Sequence, residues 1–170
     1  MRLLGLDPGL RITGWGVIES DGYRLRHVAH GVVKSDEKLS LAERLDQLFV
    51  GISAVIEAQQ PVHAAVEETF VNKNASSTLK LGYARGVVLL APARLGLPVS
   101  EYGANQVKKA VVGVGHADKT QVAMMVKRLL PGINATADAA DALAVAICLA
   151  HFLGTQKAWS KEAALPAGLR

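Results

Sequence analysis

The sequence predicts an α/β fold, a mixed five-stranded sheet of three antiparallel and then parallel strands, flanked by helices on both faces. Three observations predict it. Short apolar runs separated by turn residues occupy the chain up to Lys34. An amphipathic stripe follows between Leu41 and Ile56, and beyond it strand-like and helix-like segments alternate.

Taken in order, Leu3 to Leu6 is an apolar strand ending in Asp7-Pro8-Gly9, and Thr13 to Glu19 returns as its hairpin partner. Ser20-Asp21-Gly22 turns the chain into a third strand, Tyr23 to Lys34. Ser40 opens a helix, with Glu43 completing a capping box and Pro61 stopping it. Val62 to Glu68 is a compact buried strand ending in two carboxylates. A helix from Ser77 to Ala91 follows, with Pro92 as its expected stop; from Gly82 onward it is apolar nearly all round, which suits burial on two sides, including against a second subunit. Val99 to Tyr102 is a short strand, and Ala104 to Val112 a short basic helix or turn. Asp118 caps a helix running to about Leu130, and the last helix runs from Thr136 to Leu153 with Gly154 as its C-terminal residue. This order is that of a ribonuclease H-like fold. Residues 1–154 are expected to form that domain, and residues 155–170 a loose tail.

Composition bounds the function classes. Half of the 170 residues are apolar, enough to bury a core, and the longest strongly apolar stretch, Ala142 to Leu153, is short for a bilayer span. The N-terminus shows no signal-peptide pattern, so a soluble cytoplasmic protein is expected. The single cysteine, Cys148, excludes an intrachain disulfide and a multi-cysteine zinc site. A net charge of +4 permits a polyanionic partner without requiring one.

Four carboxylates carry the chemistry. Asp7 ends the first strand and Glu67 nearly ends the fourth, so adjacent parallel placement brings them to one sheet edge. Asp138 and Asp141 lie three apart, on one face of the last helix and near its N-terminus, where the helix dipole favours anions. The rest of that helix is Ala, Leu, Val and Ile, so it buries against the sheet and its acidic end overhangs the strand ends. Singly, each carboxylate reads as a turn, capping or solvated residue. Together they repel, by roughly 4 kcal/mol per pair at about 4 Å and an effective dielectric near 20. Two Mg²⁺ or Mn²⁺ ions would offset the charge, and paired hard cations suit in-line hydrolysis of a phosphodiester.

With these residues in place, the sequence resembles the crossover junction endodeoxyribonucleases, the RuvC-type Holliday junction resolvases. The matching blocks run nearly the length of the chain. They include Gly5-Leu6-Asp7-Pro8-Gly9, Thr13-Gly14-Trp15-Gly16, Val66-Glu67 with Phe70, Lys73-Asn74, Leu79-Lys80-Leu81-Gly82 and Ala84-Arg85-Gly86. Gln106-Val107-Lys108, Val112-Gly113, Lys119 and Ala137-Asp138-Ala139-Ala140-Asp141 continue the series. The resemblance places the metal-ligand positions on Asp7, Glu67, Asp138 and Asp141; the third is His in some members and Asp here. It implies two Mg²⁺ per subunit, with Mn²⁺ able to substitute, and a homodimer that nicks two strands of like polarity symmetrically at a four-way DNA junction. It also implies a role in recombination and repair beside a branch-migration motor complex of the RuvA and RuvB type.

Expected DNA contacts are Phe70, stacking on an unpaired base, and Lys73, Asn74, Lys80, Arg85, Lys108, Lys109 and Lys119. Gly113 to Thr120 nearly reads as a phosphate-binding loop, but Asp118 directly before Lys119 would repel phosphates, so it is better explained as a helix cap with Gln121. The five histidines share no ligand spacing; His116, between Gly115 and Lys119, is the one singled out for testing. A sugar-kinase or actin-like ATPase shares the first hairpin but needs two such domains, and this chain holds one.

Overall fold

The computed structural model describes residues 1–68 and 74–163, with side chains of the last helix described through Thr155. Its elements are β1 (Arg2–Asp7), β2 (Ile12–Ser20), β3 (Leu25–Lys34), α1 (Leu41–Gln59), β4 (His63–Glu68), α2 (Ala75–Arg94), β5 (Val99–Gly103), α3 (Ala104–Val112), α4 (Lys119–Leu129) and α5 (Ala137–Ala163). The strands form one sheet in the order β3-β2-β1-β4-β5. β1, β2 and β3 pair antiparallel, while β4 runs parallel to both β1 and β5. The ribonuclease H-like fold read from the sequence is therefore the fold of this chain.

Alternation along β1 separates two cores. Leu4 and Leu6 join Val17, Ile52, Ile56, Ala64, Val66 and Val88 beneath α1 and α2. Leu3 joins Ile18, Ala65, Tyr102 and the buried side of α5 on the other face, with α3 and α4 outside it. Among the described residues α5 is the one helix long and apolar enough to cross a bilayer, but Leu143 to Ala150 are buried, forming the core of that second face.

Glycine sets how closely α5 lies. An added Cβ on Gly5 would stand 2.1 Å from the Ala142 carbonyl oxygen and 2.5 Å from the Ala146 nitrogen. On Gly14 it would stand 2.1 Å from the Asp138 carbonyl oxygen. Gly5 pairs with Gly16 and Asp7 with Gly14, so two adjacent strands offer bare backbone to one helix.

Two helix ends differ from the sequence reading. Pro92 does not stop α2, which continues to Arg94. In the last turn proline forfeits only its own bond to an earlier carbonyl, and the amides of Leu95 and Leu97 still bond to the Pro92 carbonyl at 3.1 and 3.0 Å. Likewise α5 runs past Gly154 to Ala163, so the stretch following Gly154 begins as helix rather than loose tail. A mid-helix glycine costs only about 1 kcal/mol, and no proline intervenes before Pro166. The caps at Ser40 with Glu43 and at Asp118 with Gln121 are formed as the sequence requires.

Candidate metal centre

Asp7 closes β1, one residue beyond the parallel pair Leu6 and Val66, and Glu67 follows Val66 in β4. Both therefore project from neighbouring strand ends toward the α5 face. The hairpin after Asp7 is stitched by the buried Thr13, whose hydroxyl donates to the Gly9 carbonyl at 2.8 Å and accepts from the Gly9 amide at 3.3 Å. This holds the turn of Asp7-Pro8-Gly9 in one shape. Opposite, α5 brings Asp138 in its first turn and Asp141 one turn further in.

A pocket of about 320 Å³ opens here, lined by Asp7, Glu67, Glu68, Lys108, Lys119 and Asp141, with Ala104, Val107, Val122 and Ala144 as its apolar wall. Burial, followed by the charges of Glu67, Asp141 and Asp138, pushes Asp7 from the ordinary 3.8 up to about 7, against the opposing pull of Lys119. Glu67 is also raised, first by burial and then by Asp141, while Lys119, a hydrogen bond with Asp7, and Lys108 hold it down. Lys119 donates to Asp141 Oδ2 at 3.2 Å, and the charge of Asp141 raises its own pKa. The ammonium is exposed apart from that contact.

The structure thus brings together Asp7, Glu67 and Asp141 with Lys108 and Lys119. Asp138 stands beside them, close enough for its charge to raise Asp7 but outside the pocket lining. Among the described residues no three His, Cys, Asp or Glu side chains are drawn tightly enough to clamp one ion. The mutual charge that raises Asp7 and Glu67 is what a divalent cation would relieve. The donor set fits Mg²⁺ or Mn²⁺: all carboxylate oxygen, with room left for water.

The remaining expected contacts divide. Phe70 and Lys73 lie outside the described residues. Asn74 caps α2, its side-chain oxygen accepting from the amides of Ser76 and Ser77 at 3.0 and 3.3 Å. Arg85, expected at DNA, is half-buried and ion-paired with Glu101 of β5, where a guanidinium between helix and sheet needs a counter-charge. Lys80 and Lys109 are exposed on α2 and α3, and His116 is exposed in the loop after α3. His27 and His30 hydrogen-bond to each other at 2.7 Å on β3, with no third ligand group among the described residues. Glu68 was missed because strand alternation sends it to the face opposite Glu67; only its terminal position lets it reach the pocket rim. Gly5, Gly14 and Gly16 are the sequence's signal for the close approach of α5, since glycine inside a strand marks a place where another backbone comes near.

A ribonuclease H-like sheet with carboxylates on its two central strands and on the helix crossing them defines a metal-dependent nuclease. Comparison with known proteins narrows the class. Residues 3–149 match the family model described as Crossover junction endodeoxyribonuclease RuvC. The protein of that name from Rhodospirillum rubrum is 69% identical over 153 residues, covering 89% of this chain and 90% of the relative. That from Paramagnetospirillum magneticum is 65% identical, covering 96% and 99%. Among solved structures, RuvC from T. thermophilus in complex with a Holliday junction substrate superposes with a TM-score of 0.86 at 34% identity, covering 92% of this chain and 96% of that one. The yeast mitochondrial Holliday junction resolvase Ydc2, at 11% identity and a TM-score of 0.68, shares the fold. The chain belongs to the RuvC family of crossover junction endodeoxyribonucleases.

Proposed function

We propose that this chain resolves four-way DNA junctions as a homodimer, each subunit hydrolysing one of two strands of like polarity to leave 5′-phosphate and 3′-hydroxyl ends. The observation that carries the reading is the meeting of Asp7, Glu67 and Asp141 with Lys108 and Lys119 in one pocket at the sheet edge. Asp7, Glu67, Asp138 and Asp141 would hold two Mg²⁺, replaceable by Mn²⁺, which supply activation of water and stabilisation of the leaving oxygen when bound. The protein's own part is to orient and neutralise. Lys108 and Lys119 flank the carboxylates from α3 and α4, where they would hold the phosphate oxygens of the strand to be cut. The Lys119 ammonium exchanges a carboxylate partner for a phosphate one without leaving the pocket mouth. The apolar wall of Ala104, Val107, Val122 and Ala144 limits water on one side.

The dimer reading is supported by α2. Leu79, Tyr83 and Leu90 are exposed at helical spacing on one side of it, away from the buried Ala84 and Val88. A second copy across this face gives the symmetric pair of sites that symmetric nicking requires. Phe70, Lys73, Asn74, Lys80, Arg85 and Lys109 are further proposed DNA contacts, a branch-migration motor is the proposed partner, and the cytoplasm the proposed compartment. The direct test is cleavage of a mobile four-way junction with Mg²⁺ or Mn²⁺, the cut sites mapped on all four strands. Paired nicks on like-polarity strands support the reading. Uncut junction, or equal cutting of linear duplex, would overturn it.

A further inference from the structure

Gly14 stands between two of the carboxylates in a way the ligand assignment does not use. It is the cross-strand partner of Asp7 on β2, and on its other side its Cα faces the backbone of Asp138. A Cβ there would lie 2.1 Å from the Asp138 carbonyl oxygen, 2.6 Å from its carbonyl carbon and 3.3 Å from the Ala139 nitrogen, where ordinary contacts begin at 3.4 Å. Every one of these atoms is backbone, so no rotamer change relieves the contact. We propose that Gly14 is a positioning residue that sets the distance between Asp7 and Asp138, and through it the divalent-metal affinity of the site.

The two ends of α5 differ in how readily they yield. Asp138 lies in the first turn of α5, preceded by the loop from Pro131 to Thr136, which is mostly exposed. The helix beyond Ala142 is fixed by the core. A Cβ at position 14 therefore tilts the first turn outward by at least about 1 Å and carries Asp138 away from Asp7, leaving the buried part of α5 seated. A Cβ at position 5 meets Ala142 and Ala146 in that seated part instead, so it threatens the core rather than the site. The two glycines are near each other on the sheet and separate in consequence.

This inference rests on the proposed ligand role of Asp138, and the experiment separates the two. Mn²⁺ binding to the purified dimer is measured directly by electron paramagnetic resonance for wild type, Gly14→Ala, Asp138→Asn, Asp138→Glu and the double variant Gly14→Ala/Asp138→Glu. Melting temperature and junction affinity without divalent metal are recorded for each. Gly14→Ala is expected to fold, to bind junction within twofold of wild type, to bind Mn²⁺ at least tenfold more weakly and to cut about a hundredfold more slowly, the order of loss that a 1 Å misplacement gives. Asp138→Glu, whose carboxylate reaches one methylene further, should recover Mn²⁺ binding in the Gly14→Ala background while weakening it in the wild-type background. A merely structural glycine would show no such reversal. Wild-type Mn²⁺ affinity in Gly14→Ala, no recovery in the double variant, or failure of Gly14→Ala to fold would overturn the inference. Wild-type Mn²⁺ affinity in Asp138→Asn would instead overturn the ligand assignment beneath it.

Discussion

Replacing Asp7 by Asn should stabilise the metal-free protein at pH 8 while abolishing cleavage. Burial and three neighbouring carboxylates hold Asp7 at about 7 instead of the ordinary 3.8. The folded state therefore binds the Asp7 proton more tightly than the unfolded state does. Below about pH 4 both states are protonated and the site costs nothing. As pH rises toward 7 the unfolded chain ionises first, stability falls, and above 7 the full penalty is present. At about 1.4 kcal/mol per pH unit that penalty is of order 4 kcal/mol, and relaxation of Glu67 should leave roughly half to all of it recoverable. Asn keeps a donor for Glu67 and removes the charge. For a domain of this size, about 2–4 °C per kcal/mol, the metal-free melting temperature should rise by roughly 5–15 °C at pH 8 and by nothing at pH 4. Adding Mg²⁺ should raise the wild-type melting temperature at pH 8 and leave that of Asp7→Asn nearly unchanged, because bound cation and lost charge relieve the same repulsion. Melts monitored by circular dichroism from pH 4 to pH 8, with Mg²⁺ or with chelator, measure all of this. A metal-free melting temperature unchanged or lowered at pH 8, or a gain as large at pH 4 as at pH 8, would refute the electrostatic account.

Three further predictions follow from other parts of the fold. Gly5→Ala should lower stability by at least about 3 kcal/mol in denaturant unfolding, since the new Cβ meets the backbone of Ala142 and Ala146 in the seated part of α5; a loss under 1 kcal/mol would show that α5 can ride higher than the geometry implies. Asp118→Ala should cost about 1 kcal/mol by removing the cap that the Gln121 amide donates to at 2.9 Å, and unchanged urea unfolding would remove the cap from the account. Leu90→Arg on the exposed face of α2 should give monomers by sedimentation that stay folded but lose paired nicking; an intact dimer would place the interface elsewhere.

The sequence made the strand order, the capped helix starts and the meeting of Asp7, Glu67 and Asp141 at one sheet edge legible, because each rests on local chemistry. Ser40 with Glu43 and Asp118 with Gln121 are readable from spacing alone, and both boxes are formed. What resisted reading depends on neighbours distant in sequence. The ion pair of Arg85 with Glu101 of β5 is one such feature, since nothing near Arg85 in the sequence announces its partner. Pro92 and Gly154 look like stops, yet Pro92 lies so near the end of α2 that little is lost, and Gly154 is followed by residues that sustain a helix. Asp138 and Asp141 are equivalent by helical spacing, but the fold sets Asp141 in the pocket lining and Asp138 beside it. The depth of that approach is decided by glycines on β1 and β2, which carry no side-chain signal of their own.

The crossing of α5 over β1 and β4 also bears on when the protein becomes capable of cutting DNA. Asp7 and Glu67 are made early, but Asp141 and the apolar segment that seats it come from the last quarter of the fold. While the chain is being synthesised, the sheet edge holds two carboxylates with nothing opposite them. On the proposed ligand set, a centre drawn from the first strand and the last helix has no complete form until α5 has been made. The same wiring couples catalytic competence to completion of the core, since the helix that finishes one finishes the other.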